Sequence, residues 1–397
     1  MTRQAAISAP RVYSIDVLRG AVMIIMALDH VRDFFHYTAS LDSPTNLQTT
    51  TPILFFTRWI THFCAPTFVF LSGISAYLMG KKKTTRQLST FLLKRGMWLI
   101  LVEFLVITLA WTFNPFYNLL ILQVIWAIGI SMIILGCLVW LPPNLILLAG
   151  LLIIGLHNLL DYAEISQHGQ VNRLWVIAHQ GNFKLWKLFP GHSALIVYAF
   201  LPWTGIMLTG FGLGRIFTAA YSSALRRRTL FGLGSAFIVS FIVLRFINHY
   251  GDPFAWSSQR SPFYTFLSFI NLTKYPPSLD YIFMTLGVAT LILGLLDRLS
   301  RDAFSFISVF GRVPFFYYVL HLYLIHTIAV LVFFIQGYPA KDIPPQHSPF
   351  LFRPDYFGFH LAGVYLIWVM VILILYPLCK KYDSYKKTHK QWWLSYL

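Results

Sequence analysis

The chain has 397 residues, 57% of them hydrophobic and only 11% charged, with a mean hydropathy of +0.64 and a formal net charge of +17. An ordinary soluble domain carries about a quarter charged residues, so this composition excludes a soluble globular fold and defines a polytopic membrane protein. The positive charge is gathered in loops between apolar stretches, which excludes nucleic acid as the expected partner and reads as a topology signal.

Ten stretches approach the ~20 residues that a transmembrane helix needs: 17–37, 53–80, 89–113, 117–140, 143–160, 194–217, 229–248, 281–297, 311–336 and 358–380. The expected fold is therefore all-α, a bundle of about ten transmembrane helices. With the N-terminus inside, the cytoplasmic segments hold 20 of the 31 basic residues and the outer loops seven. That bias places both termini in the cytoplasm. No cleavable signal peptide is expected. Residues 1–380 read as one membrane domain and 381–397 as a short basic cytoplasmic tail.

The first stretch is the most informative. It contains Asp16, Arg19, Asp29, His30, Arg32 and Asp33, and ionisable groups at membrane depth normally face a protein interior or a wet cavity. Eleven residues of helix return Arg19 and His30 to nearly one face, roughly 16 Å apart along the axis. They cannot touch. Histidine titrates nearest neutrality, which suits it to take and pass a proton. Asp33 is the better-placed orienter of His30 on the helix surface, and Asp29 is free to hold Arg32.

The second stretch adds Arg58 and His62 near its outer end, and Pro66 and Ser72-Gly73 would permit a kink or a close helix approach. Three long outer connections, 38–52, 161–193 and 249–280, carry aromatic and hydrogen-bonding groups. Among them are Trp175, His179, Asn182, Trp186, Asp252, Trp256, Asn271, Lys274 and Tyr275. Such groups suit a sugar or a polar headgroup, and an aromatic belt gives the same enrichment. In the ninth stretch Tyr317 and Tyr318 share the face of His321, and His326 points elsewhere and outward. Cys64, Cys137 and Cys379 show no spacing typical of zinc ligation, so no metal is expected.

Ser14-Ile15-Asp16-Val17-Leu18-Arg19-Gly20, Leu28 to Asp33, Phe68 to Gly73, Thr273 to Leu279 and Gly311 to His326, in that order, resemble the bacterial membrane proteins with a heparan-alpha-glucosaminide N-acetyltransferase catalytic domain. The resemblance extends over nearly the entire chain. Arg19-x10-His30 also looks like the Arg/His signature of the related acyltransferase-3 proteins. The resemblance implies cytoplasmic acyl-CoA, in the first instance acetyl-CoA, as donor and an acceptor, often a sugar, on the far side of the inner membrane. In the lysosomal members an Asn occupies the place that aligns with His30 and the active His lies farther along, which makes His36 a rival base.

The expected catalytic set is then His30 with Asp29 and Asp33, and Arg32 or a Tyr at the oxyanion. Arg19, Asp16 and the basic groups around 81–95 are expected at the donor. His36, Arg58, His62, Lys274, Tyr275, Tyr317 and His321 are expected around the acceptor. Expected partners are membrane lipid and a small-molecule or glycan acceptor, with a homodimer possible. The rival reading from another class is a proton-coupled secondary transporter using Asp29, His30 and Asp33 as a relay.

Overall fold

The structure is a computed structural model that describes residues 12–166, 172–181, 183–299, 303–345, 348–389 and 391–395. Arg3, Arg11, Asn182, Arg301 and Lys390 lie outside the described residues. In chain order the elements are α1 (Tyr13–Phe35), α2 (Pro52–Trp59), α3 (Cys64–Gly80), α4 (Thr85–Val102), α5 (Thr108–Thr112), β1 (Leu119–Leu122), α6 (Val124–Leu138), α7 (Pro143–Leu156) and α8 (Leu159–Ser166). The chain continues with α9 (Arg173–Trp175), β2 (Lys184–Phe189), β3 (His192–Ile196), α10 (Phe200–Leu213), α11 (Ser223–Ile247), α12 (Pro262–Ile270), α13 (Leu279–Leu296), α14 (Ser305–Arg312), α15 (Pro314–Ile335) and α16 (Leu361–Thr388).

Each of the ten apolar stretches carries a helix, but six described helical rods are both long and apolar enough to cross a membrane: Pro52–Gly80, Pro143–Tyr162, Ser223–Ile247, Leu279–Leu296, Pro314–Ile335 and Leu361–Thr388. The others fall short for identifiable reasons. α1 carries its cluster of charges, α6 and α10 are short, and the rod after Thr84 changes to a π-helical turn at Glu103–Ile107. The last helix runs on to Thr388, so residues 381–388 continue it.

The all-helical expectation needs one correction. A three-stranded sheet in the order β1-β3-β2 pairs β1 parallel to β3 and β3 antiparallel to β2. The run Leu119-Leu120-Ile121-Leu122 is extended along β3, and Gln123 holds a β conformation so that α6 starts only at Val124. The stretch 117–140 is thus a strand followed by a helix. Glu103, on the π-helical turn of the neighbouring rod, accepts a hydrogen bond from the Trp126 backbone N–H (2.7 Å) and so caps α6 from outside its own chain segment.

α1 is central. It packs against α3, α13, α14, α15 and α16, and its Val22, Met23, Ala27, Val31, Phe34 and Phe35 are buried. Its crossing with α14 has no room for side chains. A Cβ built on Gly20 would lie 2.0 Å from the Ile307 carbonyl oxygen, and one on Gly311 would lie 1.8 Å from that of Asp16. The second rod turns through a short 3-10 segment at Ile60–Phe63 before α3. Pro66 has no N–H for the carbonyl of His62 one turn back, and the Tyr281 hydroxyl donates to that carbonyl instead (2.7 Å).

The connections 38–52 and 249–280 are bound to each other and within themselves. Asp252 accepts from the Thr273 N–H and hydroxyl and from the Ser278 hydroxyl. Asn271 donates to Thr45 O, and Trp256 donates to Arg245 O. Several groups suited to a sugar are therefore spent on holding the loops closed.

Candidate functional site

Two segments distant in sequence and its own helix bring cations to Asp29. One carboxylate oxygen takes Arg58 at 2.6 Å and Lys274 at 3.9 Å, and the other takes Arg32 at 2.9 Å. Arg32 also pairs closely with Asp33. Asp29, Arg32 and Lys274 are buried, so the group is a closed ionic knot in which each charge needs the others. Asp33 belongs to Arg32 and is not the hydrogen-bonding orienter of His30.

That orienter is His321. His30 Nδ1 and His321 Nε2 are 2.7 Å apart, with the rings stacked at 5.0 Å and 16°. On its other side His321 Nδ1 lies 3.1 Å from the Tyr317 carbonyl oxygen. A carbonyl can only accept, so His321 carries its proton on Nδ1 and offers a lone pair at Nε2. His30 must then donate from Nδ1, which leaves His30 Nε2 with the free lone pair. The edge of Trp111 packs on the His30 ring at 4.9 Å and restricts its rotation.

His30 lines a small cavity of 40 Å³ together with Cys64, Gln123, Tyr198, Lys274 and Tyr318; the rest of its wall is apolar and includes Val22, Met23 and Met26 of α1. Below it on α1, Asp16 and Arg19 line an open cleft of 1070 Å³ that also takes in Ser75, Lys81, Lys82 and Arg226. Arg19 donates to Ser75 Oγ (2.8 Å) and to the Gly311 carbonyl (3.3 Å), and it lies 3.5 Å from Asp16. One helix thus lines the cleft with its first two turns and the small cavity with the next three.

The remaining expected residues divide. Lys274 reaches the cavity, and the ring of Tyr275 lies 5.2 Å from that of Tyr198. Arg58 is committed to Asp29, and His62 packs edge-on against Tyr281 at 5.4 Å, outside the cavity wall. Tyr317 stacks behind His321 at 5.2 Å and serves it through its carbonyl, not a substrate through its ring. His36 caps the C-terminal end of α1, bonded to Thr38, and its carbonyl accepts from Arg353. It does not line the cavity. His326 is not outward-facing: it is buried, bridging the carbonyls of Ala110 and Leu351.

Sequence reasoning missed Gln123, Tyr198 and Trp111, and it gave Cys64 no role. Gln123 had a signal, as the lone amide between two apolar runs; Tyr198 had none. Among the described residues no group of three or more His, Cys, Asp and Glu side chains could hold a metal ion.

A helical, multi-pass membrane protein with a buried imidazole pair above a basic cleft is the class that fold and site define. The family model described as heparan-alpha-glucosaminide N-acetyltransferase, catalytic, matches residues 11–244, more than half of the 397 residues, and the chain belongs to that family. It is thereby a membrane acetyltransferase by family. The match ends well before Lys274 and His321, so it covers less of the chain than the motif resemblance. A comparison with curated proteins gives no match.

Proposed function

We propose that the protein moves an acetyl group from acetyl-CoA, bound on the cytoplasmic side of the inner membrane, to a hydroxyl or amine of a sugar or other small acceptor on the far side. The observation that carries this reading is the pair of cavities stacked along α1. The cleft lining has four cations, Arg19, Lys81, Lys82 and Arg226, against two carboxylates, Asp16 and Asp297, which suits the phosphates of a nucleotide. The cavity around His30, at 40 Å³, has space for about three or four waters, each needing about 10–15 Å³. That scale suits a two-carbon acyl group and disfavours a long chain. The roughly 16 Å of helix between Arg19 and His30 is on the scale of an extended pantetheine arm.

His30 Nε2 takes the proton from the acceptor O–H or N–H as that atom attacks the thioester carbonyl carbon. The negative charge that develops on the carbonyl oxygen is met by Lys274 and the Tyr198 hydroxyl, both on the cavity wall. Collapse of the tetrahedral species breaks the C–S bond, and His30 returns the proton to the departing thiolate. His321 holds the His30 tautomer throughout and shares the imidazolium charge through the Nδ1–H, the role a carboxylate fills in hydrolase triads. Asp29 is left to balance Arg32, Arg58 and Lys274. The catalytic domain extends through 1–380, because Lys274 and His321 complete the site that the first half begins.

The test is to incubate purified protein with acetyl-labelled acetyl-CoA and a panel of sugars and amino sugars and to measure label transfer. Transfer to at least one acceptor is expected. No transfer and no acetyl-CoA binding, with proton flux in reconstituted liposomes, would establish the transporter reading instead.

A further inference from the structure

We infer that the exposed face of α4 is a binding site for an anionic phospholipid, separate from the donor cleft. A second groove, of 450 Å³, is lined by Lys82, Lys83, Arg86 and Lys94 with Gln87 and Thr90, and no carboxylate occurs among the described residues of its wall. Only Lys82 is shared with the cleft. The Lys83 ammonium lies 5.6 Å from the centre of the Phe91 ring, which forms one side of the groove.

The helix surface beyond these cations identifies the ligand. Gln87, Thr90, Lys94, Met97, Leu101 and Leu105 recur at three- and four-residue steps and are all exposed, so they form one stripe. The opposite face, with Leu88, Leu92, Leu99 and Val102, is buried where α4 packs on α6. Polarity changes abruptly along the stripe. Up to Lys94 it is cationic and polar; beyond it, Met97, Leu101 and Leu105 are 62%, 48% and 52% exposed.

From Lys94 to Leu105 is roughly 16 Å of helix, about one leaflet of a ~30 Å hydrocarbon core. A phosphate held by the cations would send its acyl chains along an apolar path of matching length. A soluble phosphate or nucleotide has nothing to place there. The cationic end lies in a loop of the basic set assigned to the cytoplasmic surface, the leaflet side richest in anionic lipid.

The experiment equilibrates purified protein with equimolar phosphatidylglycerol and phosphatidylcholine, removes bulk lipid with mild detergent, and quantifies the lipid retained by mass spectrometry. Each Lys or Arg near an anionic headgroup contributes roughly a fivefold preference. The wild-type protein should retain phosphatidylglycerol over phosphatidylcholine by at least about tenfold, and Lys83→Gln/Arg86→Gln/Lys94→Gln should lose most of that preference. The tail variant Lys380→Gln/Lys381→Gln should keep it. No preference in the wild type, or full preference in the triple variant, overturns the assignment. If the triple variant is not monodisperse, single Arg86→Gln and Lys94→Gln variants are read instead, and unchanged preference in both overturns it equally. Excess CoA should leave the retained lipid in place; its displacement would assign the groove to the donor. The readout needs no turnover, so it stands or falls independently of the acetyl-transfer reading.

Discussion

The two ends of α1 use ionisable residues in opposite ways. At the lower end Asp16 and Arg19 border an open cleft of 1070 Å³. There Arg19 contacts three partners from three helices, namely Asp16, Ser75 and Gly311. At the upper end Asp29, Arg32 and Asp33 are locked to one another and to Arg58 and Lys274, and of the ionisable groups on this part of α1 His30 alone lines the small cavity. Charges beside a wet cleft can be used to bind, because water compensates them when the ligand leaves. Buried charges must be compensated permanently, so what remains available to take a proton is the imidazole pair.

The largest effect is expected at His30. His30→Gln should lower turnover by ~10²–10⁴-fold, the usual contribution of a general base, while acetyl-CoA affinity measured by calorimetry stays within a few-fold of wild type. Turnover near wild type would remove His30 from the chemistry. At the ionic knot, Asp29→Asn leaves Arg58 and Lys274 without their carboxylate and Arg32 with Asp33 alone, and breaking a buried pair costs about 3–5 kcal/mol. The expected outcome is a large fall in thermal midpoint or in folded yield, with intact stability refuting the structural role.

His321→Phe keeps the stacked ring but deletes the acceptor for His30 Nδ1–H. Turnover should drop by roughly 10²-fold, less than the ~10⁴-fold loss known for a triad whose histidine takes the wrong tautomer, and KM for acetyl-CoA should not move. A change confined to KM would mean that His321 meets substrate. Arg19→Gln should instead raise KM for the donor by about tenfold, one charge-assisted hydrogen bond of 1.5–3 kcal/mol at its low end, with kcat unchanged. Unaltered donor affinity in a folded variant would reduce Arg19 to a partner of Asp16. The smallest effect belongs to His36→Ala, expected to retain turnover within a few-fold. Loss of activity there, with His30→Gln active, would reverse the assignment of the base.

Much of the helical layout was legible, because a ~20-residue apolar run has few alternatives in a membrane. The strand β1 was not. Four apolar residues ahead of α6 look like part of the same span, and only the parallel pairing with β3, some 70 residues on, makes them extended. On α1 the helical period correctly separated Arg19 from His30. It failed with Asp33, which its helix neighbour Arg32 holds, because surface spacing ignores the partner that another helix delivers to His30, here His321. His321 was visible as an intramembrane histidine at a depth similar to His30. Its role as orienter required knowing that two imidazoles 291 positions apart meet, and no local pattern contains that.

The contact of Gly20 with α14 sets a common origin for two arms of equal length. Counting from Gly20, His30 is ten residues on; counting from Gly311, so is His321. The α1 arm is about 15 Å of unbroken helix, the other passes the break at Val313 between α14 and α15, and the rings meet at the far ends. An alanine at either glycine would push the backbones apart at the origin, and one residue added to either arm would swing its imidazole by about 100° around the helix. The 2.7 Å alignment of the two rings is thus gauged at a site that no substrate visits.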